Sequence, residues 1–331
     1  MSASVLPRTA AVVLLAVGAA ACAGPRALVS DASAPPAARR GAGRTPVELV
    51  PAGRVPGSSG RYSIRRTPAD ERVTVEAAAG ALASADAIFL GELHNSTEGH
   101  AAQLALTEAI ARRRGEVILS MEMLERDARP RVALYLSGAI DRENFLEGTR
   151  LWGNWAEHYE PAFNFARDNG FEVVSANVYR PLASRVAADG LAAGLGDVWS
   201  AKSVDTRDGE YKRRFREIMS GTSHGAPGGD LGALDRVFAA QCLKDDTMAE
   251  SIADALRRRG DGAPPVVHWN GRFHSDFGLG TVERLRRRMP GLNIAVVSML
   301  EADDLGADVA GEDLDTGHFV VVVPRLASRR R

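Results

Sequence analysis

The sequence predicts an α/β fold with a mainly parallel, mixed central sheet sandwiched between helices. Six short apolar runs have the length of strands, and helical patterns separate most of them. Several runs are continuously apolar, which is typical of strands covered on both faces. Strands that alternate with helices favour parallel pairing. With 331 residues, 45% of them hydrophobic and 25% charged, the chain can bury such a core.

The elements follow in chain order from these patterns. The predicted strands are Ala87–Leu90, Val117–Met121, Phe171–Ser175, Pro265–Trp269, Asn293–Ser298 and Phe319–Val323. The predicted helices are Val73–Ala83, Thr97–Arg114, Arg129–Ser137, Arg142–Gly148, Pro161–Asp168, Gly209–Met219, Leu231–Arg259 and Thr281–Arg288. No clear helix separates the last two strands, so we expect an antiparallel edge there. Residues 191–230 are rich in glycine and charge, which predicts an insertion or a mobile lid.

Helix ends account for the clusters of basic residues. Three arginine triplets each close a helical pattern just before a glycine or a proline, where cations complement the helix dipole. The formal net charge is −1, which argues against a dedicated nucleic-acid binder. We therefore expect no nucleic-acid partner.

The N-terminus has the pattern of an export signal. Arg8 precedes an apolar stretch that is too short to span a bilayer permanently, and small residues lead to Cys22. This predicts a lipoprotein segment over residues 1–22 with Cys22 as the lipidated residue, although ordinary cleavage near Ala21 would release a soluble exported protein. Residues 23–60 are predicted to form a flexible tether rich in Pro, Gly and Ala. Residues 61–326 would form one domain, followed by a basic tail at 327–331.

One short pattern occurs twice. Gly91-Glu92-Leu93-His94 and Gly271-Arg272-Phe273-His274 each follow a predicted strand and precede a new helical pattern. Loops that leave the carboxyl ends of parallel strands form the ligand crevice of an open sheet. Two histidines delivered there could meet across one pocket.

Further polar residues are predicted at the same edge. Glu122 and Asn177 follow other strands, and His100 lies on the helix after the first corner, for which Asn95 and Glu98 are a candidate capping box. Two carboxylates about 4 Å apart repel by about 4 kcal/mol at an effective dielectric of 20. Glu92 and Glu122 would then need a proton, an arginine such as Arg126 or Arg272, or a divalent ion such as zinc or manganese. The alternative is that Glu92 binds backbone amides and His94 satisfies a buried turn.

A second cluster combines aromatic residues with a histidine. Trp152, Trp155 and Tyr159 have helical spacing and flank His158. An aromatic face of the core is the ordinary explanation, while such a face beside a His or a Tyr could also receive a flat apolar macrocycle. The chain has no Cys-x-x-Cys-His motif, so covalent haem attachment is not predicted.

Together these motifs resemble those of the ChaN-like haem-binding lipoproteins, in the superfamily of Tiki proteases, TraB proteins and erythromycin esterases. The resemblance rests on residues 90–95 with His100 and Gln103, on residues 121–123 and on residues 270–274. It implies export to the bacterial envelope, a membrane anchor facing the periplasm or the cell surface, and a role in haem or iron uptake. It also implies two cooperating subunits.

The resemblance implies two different sites. For haem, Tyr159 is the candidate iron ligand beside His158, with Tyr135 or Tyr179 as alternatives, and Arg180 could pair with the propionates. For a metal-dependent hydrolase of the Tiki or esterase type, the ligands would be His94, His274 and Glu122, with His100 as a further candidate. Glu92 would then be the general base. A binding module with a structural pocket and no cofactor is the third interpretation.

Overall fold

The computed structural model describes residues 48–220 and 231–326. The predicted signal segment with Cys22, most of the predicted tether and the basic tail lie outside these residues. Within the described part of the chain, no helix is both long enough and apolar enough to cross a bilayer.

One eight-stranded mixed sheet forms the centre of the fold, which confirms the predicted class. Its spatial order is β2-β1-β8-β7-β3-β6-β4-β5, and every neighbouring pair from β8 to β5 is parallel. The strands are β1 Ser63–Arg66, β2 Glu71–Val73, β3 Ala87–Glu92, β4 Ile118–Glu125, β5 Val173–Asn177, β6 Val266–Gly271, β7 Ile294–Ala302 and β8 Phe319–Pro324.

Helices cover both faces of this sheet. They are α1 Val75–Leu82, α2 Thr97–Arg114, α3 Arg129–Leu136, α4 Arg142–Glu147, α5 Glu160–Asp168, α6 Arg180–Asp189, α7 Glu210–Ser220, α8 Leu231–Arg259, α9 Thr281–Arg288 and α10 Gly311–Leu314. A π-helical turn, Trp155–Tyr159, leads into α5, and a 3-10 turn, Arg272–His274, follows β6.

Alternation along the central strands divides the core into two layers. Ile88 and Leu90 of β3 pack in the larger cluster with α1, α2 and α5. Ala87 and Phe89 point to the opposite face, where they pack with α8 and α9. Because both faces are covered, all six residues of β3 are buried, as the continuous apolar run predicts.

The edge of the sheet differs from the prediction. The last two strands, β7 and β8, pair in parallel, because α10 and its flanking loops carry the chain back to the starting edge. The antiparallel edge is formed instead by β1, which pairs with β8, and by β2, which pairs with β1. These two strands have only four and three residues and no sustained apolar run, so the pattern gave no sign of them.

The first corner is also capped differently. The N-cap of α2 is Ser96, whose Oγ accepts the amide proton of Gly99, and not Asn95. Glu98 does not complete a capping box. Its carboxylate accepts hydrogen bonds from the hydroxyls of Ser58 and Ser59 and from the amides of Ser59 and Arg61.

Residues 48–60 of the predicted tether lie against the domain. The carboxylate of Glu98 binds one end of this segment. Near the other end, Asn169 exchanges two hydrogen bonds with the backbone of Val50, and Val55 is buried. The folded domain therefore extends before residue 61, because polar side chains on α2 and after α5 bind a segment that has little apolar periodicity.

Candidate functional site

A cleft of about 660 Å³ opens at the carboxyl ends of the parallel strands. The two Gly-x-x-His corners, after β3 and β6, form its floor together with Glu122 of β4. Its apolar wall includes Trp152, Phe215, Ile218, Met219 and Phe273. Cationic side chains, Arg180, Lys244 and Arg272, also line the cleft. The structure thus brings both corner histidines to one pocket, at the edge where α/β sheets bind ligands.

His94 of the first corner is hydrogen-bonded to a buried carboxylate on one side and exposed to the cleft on the other. Its Nδ1 donates to Oε1 of Glu92 at 2.7 Å, and its side chain is 48% exposed. The ring meets Trp152 edge to face at 5.0 Å between centroids. No hydrogen-bond partner of Nε2 is found among the described residues. Nε2 of His94 can therefore contact a ligand in the cleft.

Glu92 is buried beneath His94. Its Oε1 also accepts the hydroxyl proton of Tyr159 at 2.7 Å. Its Oε2 is buried and accepts no hydrogen bond, although Nδ1 of His100 lies 3.3 Å away. One oxygen of this carboxylate thus accepts two hydrogen bonds, and the other accepts none.

His274 of the second corner is enclosed. Its Nδ1 donates to Oδ1 of Asp245 at 2.7 Å, and its Nε2 lies 3.3 Å from Oε1 of Glu122. Asp245, from α8, also accepts protons from Tyr211 and Thr281. The side chain of His274 is 7% exposed. Both of its nitrogens are committed to carboxylates, so it is unavailable to a ligand in this arrangement.

Electrostatics separate the two imidazoles further. Burial lowers the pKa of His274, but the charges of Glu122 and Asp245 outweigh it and raise the pKa to about 10. Conversely, burial raises the pKa of Glu122, but His274 brings it well below its ordinary range. For His94, partial burial is outweighed by the Glu92 hydrogen bond and the charge of Glu122, and the pKa is raised. His274 is therefore an imidazolium at neutral pH.

The two corners interlock through their glycines. A Cβ on Gly271 would lie 2.7 Å from Cε1 and 2.9 Å from Nε2 of His94. A Cβ on Gly91 would lie 2.9 Å from the Cα of Arg272. Since Glu92 and Gly271 are partners in the register of β3 and β6, each corner occupies the space that the other leaves empty.

The arginines proposed to compensate the carboxylates serve other residues. Arg126 binds Glu250, Ser251 and backbone carbonyls near α8. Arg272 lines the cleft but pairs with Asp276. The negative charge of Glu92 is compensated by hydrogen bonds from His94 and Tyr159. That of Glu122 is compensated by His274 and by the amide of Gly271.

The remaining predicted ligands lie mostly behind the floor. His100 is fully buried on α2, between Gln103 and the backbone carbonyl of His94. His158 is buried, stacks on His100 and bonds to Thr97 and Asn154. Tyr159 is fully buried and does not line the cleft; burial and the charge of Glu92 raise its pKa. Of the residues predicted for haem, the structure brings only Arg180 to the cleft.

A metal centre is not assembled among the described residues. Within 48–220 and 231–326, no group of three or more His, Cys, Asp or Glu side chains is placed to hold an ion. His94, His274 and Glu122 do share the cleft, but His274 is occupied by its two carboxylates. The metal set of His94, His274, Glu122 and His100 therefore stays a prediction without support from the geometry.

Helices α7 and α8 contribute residues that sequence reasoning missed. Asp245 lies one turn after Gln241 on α8, and both contact His274. Phe215, Ile218 and Met219 reach the cleft from α7, inside the segment predicted as an insertion. The available signal was the i, i+4 spacing of Gln241 and Asp245 on one face of a long helix, which does not indicate what that face meets.

Comparison with known proteins identifies relatives of this architecture. A family model described as "Haem-binding uptake, Tiki superfamily, ChaN" matches residues 78–285. The structure of cofacial heme binding to ChaN of Campylobacter jejuni has 18% identity and a TM-score of 0.62, covering 78% of this chain and 96% of the other. A mutant of the erythromycin esterase EreC in its open conformation has 14% identity and a TM-score of 0.41, covering 72% and 77%.

A protein from Bacillus cereus is a more distant structural neighbour, with 11% identity, a TM-score of 0.37 and coverage of 73% of each chain. No curated protein is similar enough to count as a relative. The family match spans more than half of the chain and includes both corners, Glu122 and Asp245. The chain therefore belongs to the ChaN family of haem-binding uptake proteins in the Tiki superfamily.

Proposed function

We propose that this protein binds haem in the cleft above the two corners and that His94 donates Nε2 to the iron. The observation that carries the proposal is a half-exposed imidazole whose inner nitrogen is held by Glu92 and whose outer nitrogen has no partner among the described residues. Neutral imidazole is a common haem ligand. Membership of the family and the fold shared with the haem-bound ChaN of Campylobacter jejuni support haem as the bound molecule.

The cleft suits a flat apolar molecule with acidic edges. Its volume lies within the range of small-molecule pockets. Trp152, Phe215 and Phe273 offer aromatic surface, and Arg180 and Lys244 offer cations for the propionates. Lys244 forms no ion pair within the described residues, and the Arg180 side chain is 56% exposed. Tyr159 and His158 could contact haem only if the floor rearranged.

Haem titration of the purified protein tests this proposal. We expect a Soret shift with one haem per chain and a reduced affinity in His94→Ala. His318→Ala is the matched control, because His318 lies at the start of β8 outside the cleft. An unchanged spectrum on titration of the wild-type protein would overturn haem binding. Equal affinity of His94→Ala and the wild type would overturn His94 as the donor.

We further propose that the protein is a lipid-anchored envelope protein that acts in haem or iron uptake, facing the periplasm or the cell surface. The support is the export pattern before Cys22 together with the family. Labelling with a fatty-acid analogue should mark the wild type and not Cys22→Ala. Loss of growth on haem as the iron source upon deletion tests the uptake role.

A homodimer is the remaining proposal about partners. Ile218 and Leu326 are apolar, about half exposed and line the cleft, so a second subunit could cover them. Light scattering with and without haem measures the mass, and a monomer under both conditions would contradict the dimer.

The hydrolase interpretation keeps one favourable observation. Glu92 and His94 form a close carboxylate–imidazole pair beside an open cleft, an arrangement that can serve general-base chemistry. Elemental analysis of protein purified without chelator tests its metal-dependent form. A stoichiometric divalent ion that is lost in His94→Ala would favour the hydrolase over the carrier.

A further inference from the structure

We propose that α7 is a movable wall of the cleft, and that Tyr211 is the positioning residue that docks this helix on the second corner. Undocking of α7 then sets the rate at which haem leaves. This role rests on the proposed function, since haem is the cargo, but it does not depend on which residue binds the iron. Tyr211 does not line the cleft, so it acts only through the helix that carries it.

One apolar stripe runs along α7 and has two different surroundings. Of the eleven residues of the helix, only Tyr211 and Phe215 are buried, and their rings pack with those of Phe238 and Phe273. One turn later, Ile218 lines the cleft and is about half exposed. The first half of the stripe therefore docks the helix, and the second half presents apolar surface to a ligand.

The charged residues of α7 add little to its docking. Two of its arginines pair with glutamates of the same helix, which stabilises the helix itself and not its position. The pair between Arg216 and Asp235 reaches α8, but both side chains are exposed, and water screens such pairs. Arg214 adds one further contact, since its guanidinium lies 3.5 Å from the centroid of the Phe277 ring. Docking therefore depends mainly on the buried aromatic side chains.

The hydroxyl of Tyr211 joins α7 to the second corner. It donates to Oδ2 of Asp245 at 2.6 Å, while His274 donates to the other oxygen, Oδ1, at 2.7 Å. The Tyr211 ring also stacks on Phe273, within the same corner, at 4.9 Å between centroids. Because Tyr211 and Asp245 are both buried, water does not compete for this hydrogen bond, and its charged acceptor makes it stronger than a neutral one. One carboxylate thus connects the floor of the cleft to its wall.

A ligand in the cleft should strengthen the same docking. Phe215 and Ile218 of α7 line the cleft together with Phe273. A flat apolar molecule that packs on this surface contacts α7 only while the helix is docked. Binding and docking are then linked, so each raises the equilibrium constant of the other. Haem should therefore leave fastest from the undocked state.

The test compares two variants that each remove one hydroxyl group from Asp245. Tyr211→Phe breaks the link to α7, whereas Thr281→Val removes a donor that belongs to α9 and leaves α7 in place. Transfer of haem to excess apomyoglobin measures the dissociation rate. In Tyr211→Phe we expect release to be about 10- to 100-fold faster, the range for loss of a hydrogen bond to a charged group. Thr281→Val should release haem at close to the wild-type rate.

Hydrogen exchange gives a second readout that does not require haem in the variant. Amide exchange along residues 210–220 should be faster in Tyr211→Phe by the same factor as haem release, because protection follows the opening equilibrium. The other helices should keep their wild-type exchange. In the wild type, haem should slow exchange in α7. An unchanged rate there would overturn the proposal even if Tyr211→Phe failed to fold.

The outcomes separate the two levels of the proposal. A wild type without a Soret shift overturns the proposed function. A normal Soret shift with wild-type release from Tyr211→Phe overturns only the role of Tyr211. Equal acceleration in Thr281→Val also overturns that role, because the effect would then come from the altered charge of Asp245. Faster exchange throughout the domain would do the same, since the hydroxyl would then support the whole fold and not α7.

Discussion

The two Gly-x-x-His corners have the same local pattern and occupy adjacent parallel strands, yet their histidines reach different states. His94 is half exposed, keeps one hydrogen bond to a side chain and leaves Nε2 open to the cleft. His274 is buried between two carboxylates and remains charged at neutral pH. The local pattern places an imidazole at the edge of the sheet. The chain that surrounds it decides whether the imidazole can bind a ligand.

The surroundings of each histidine come from different elements. Glu92, the last residue of β3, lies two residues before His94, whereas Asp245 reaches His274 from α8 and Glu122 reaches it from β4. The first corner therefore contains its own partner. The second corner depends on tertiary contacts, and its carboxylates keep its imidazole out of the ligand set.

The largest effect should come from removing the enclosed histidine. His274→Ala leaves Glu122 and Asp245 buried without their counter-ion, so we expect the free energy of unfolding to fall by about 3–5 kcal/mol. His94→Ala leaves Glu92 with the Tyr159 hydroxyl, and we expect a loss of about 1–3 kcal/mol. Urea denaturation of both variants measures the difference. Equal losses would show that the two imidazoles are not held as differently as their contacts indicate.

Alanine substitutions at the two corner glycines should affect protein stability and haem binding to different extents. In Gly91→Ala the new methyl group would meet the backbone of Arg272, which cannot move freely, so we expect a loss of about 1–3 kcal/mol in stability. In Gly271→Ala it would meet the tip of the His94 side chain, which can rotate away. This variant should lose less stability but bind haem more weakly. Denaturation and haem titration together test the pair, and the reverse ranking would contradict it.

The pH dependence of stability should differ at the two corners. Because folding raises the pKa of His274 from 6.5 to about 10, its stabilisation is complete below about pH 6.5 and is lost as the pH rises toward 10. Glu122 and Asp245 have lowered pKa values, so their stabilisation is lost as the pH falls below their ordinary values. His94, which is half solvated, should titrate at lower pH than His274.

NMR titration of the two histidine rings and denaturation as a function of pH check this expectation. If His274 titrated near 6.5, the ion pairs would contribute little to folding.

The sequence predicts the first corner better than the second. Continuous apolar runs and arginine-terminated helices locate most of the fold, because burial and helix capping act over short distances. The helix that ends at Arg259 is predicted with its observed C-terminal end. The sequence does not predict that the face of this helix that carries Asp245 packs against the corner after β6. Nothing local to α8 specifies its packing partner.

The aromatic cluster shows the same limit. Helical spacing predicts an aromatic face at Trp152, Trp155 and Tyr159, but it does not determine which ring is buried. A π-helical turn over Trp155–Tyr159 rotates Tyr159 inward to Glu92 and leaves Trp152 on the cleft. The pattern itself favoured an aromatic face of the core, and Tyr159 is indeed buried; only the family resemblance suggested it as an iron ligand.

The smallest effect should come from a substitution of Trp152, in the apolar wall of the cleft beside His94. Trp152→Leu removes an edge-to-face contact with His94, which is worth about 0.5–1.5 kcal/mol, and flattens one side of the cleft. We expect a small loss of stability, weaker haem binding and a smaller quenching of tryptophan fluorescence by haem. Trp199→Leu is the matched control, because Trp199 does not line the cleft. Because quenching by haem acts over distance, both variants lose some signal, but only Trp152→Leu should change the affinity. An unchanged affinity in that variant would place the haem against the opposite wall, at Phe215 and Phe273, and would separate the binding site from the first corner.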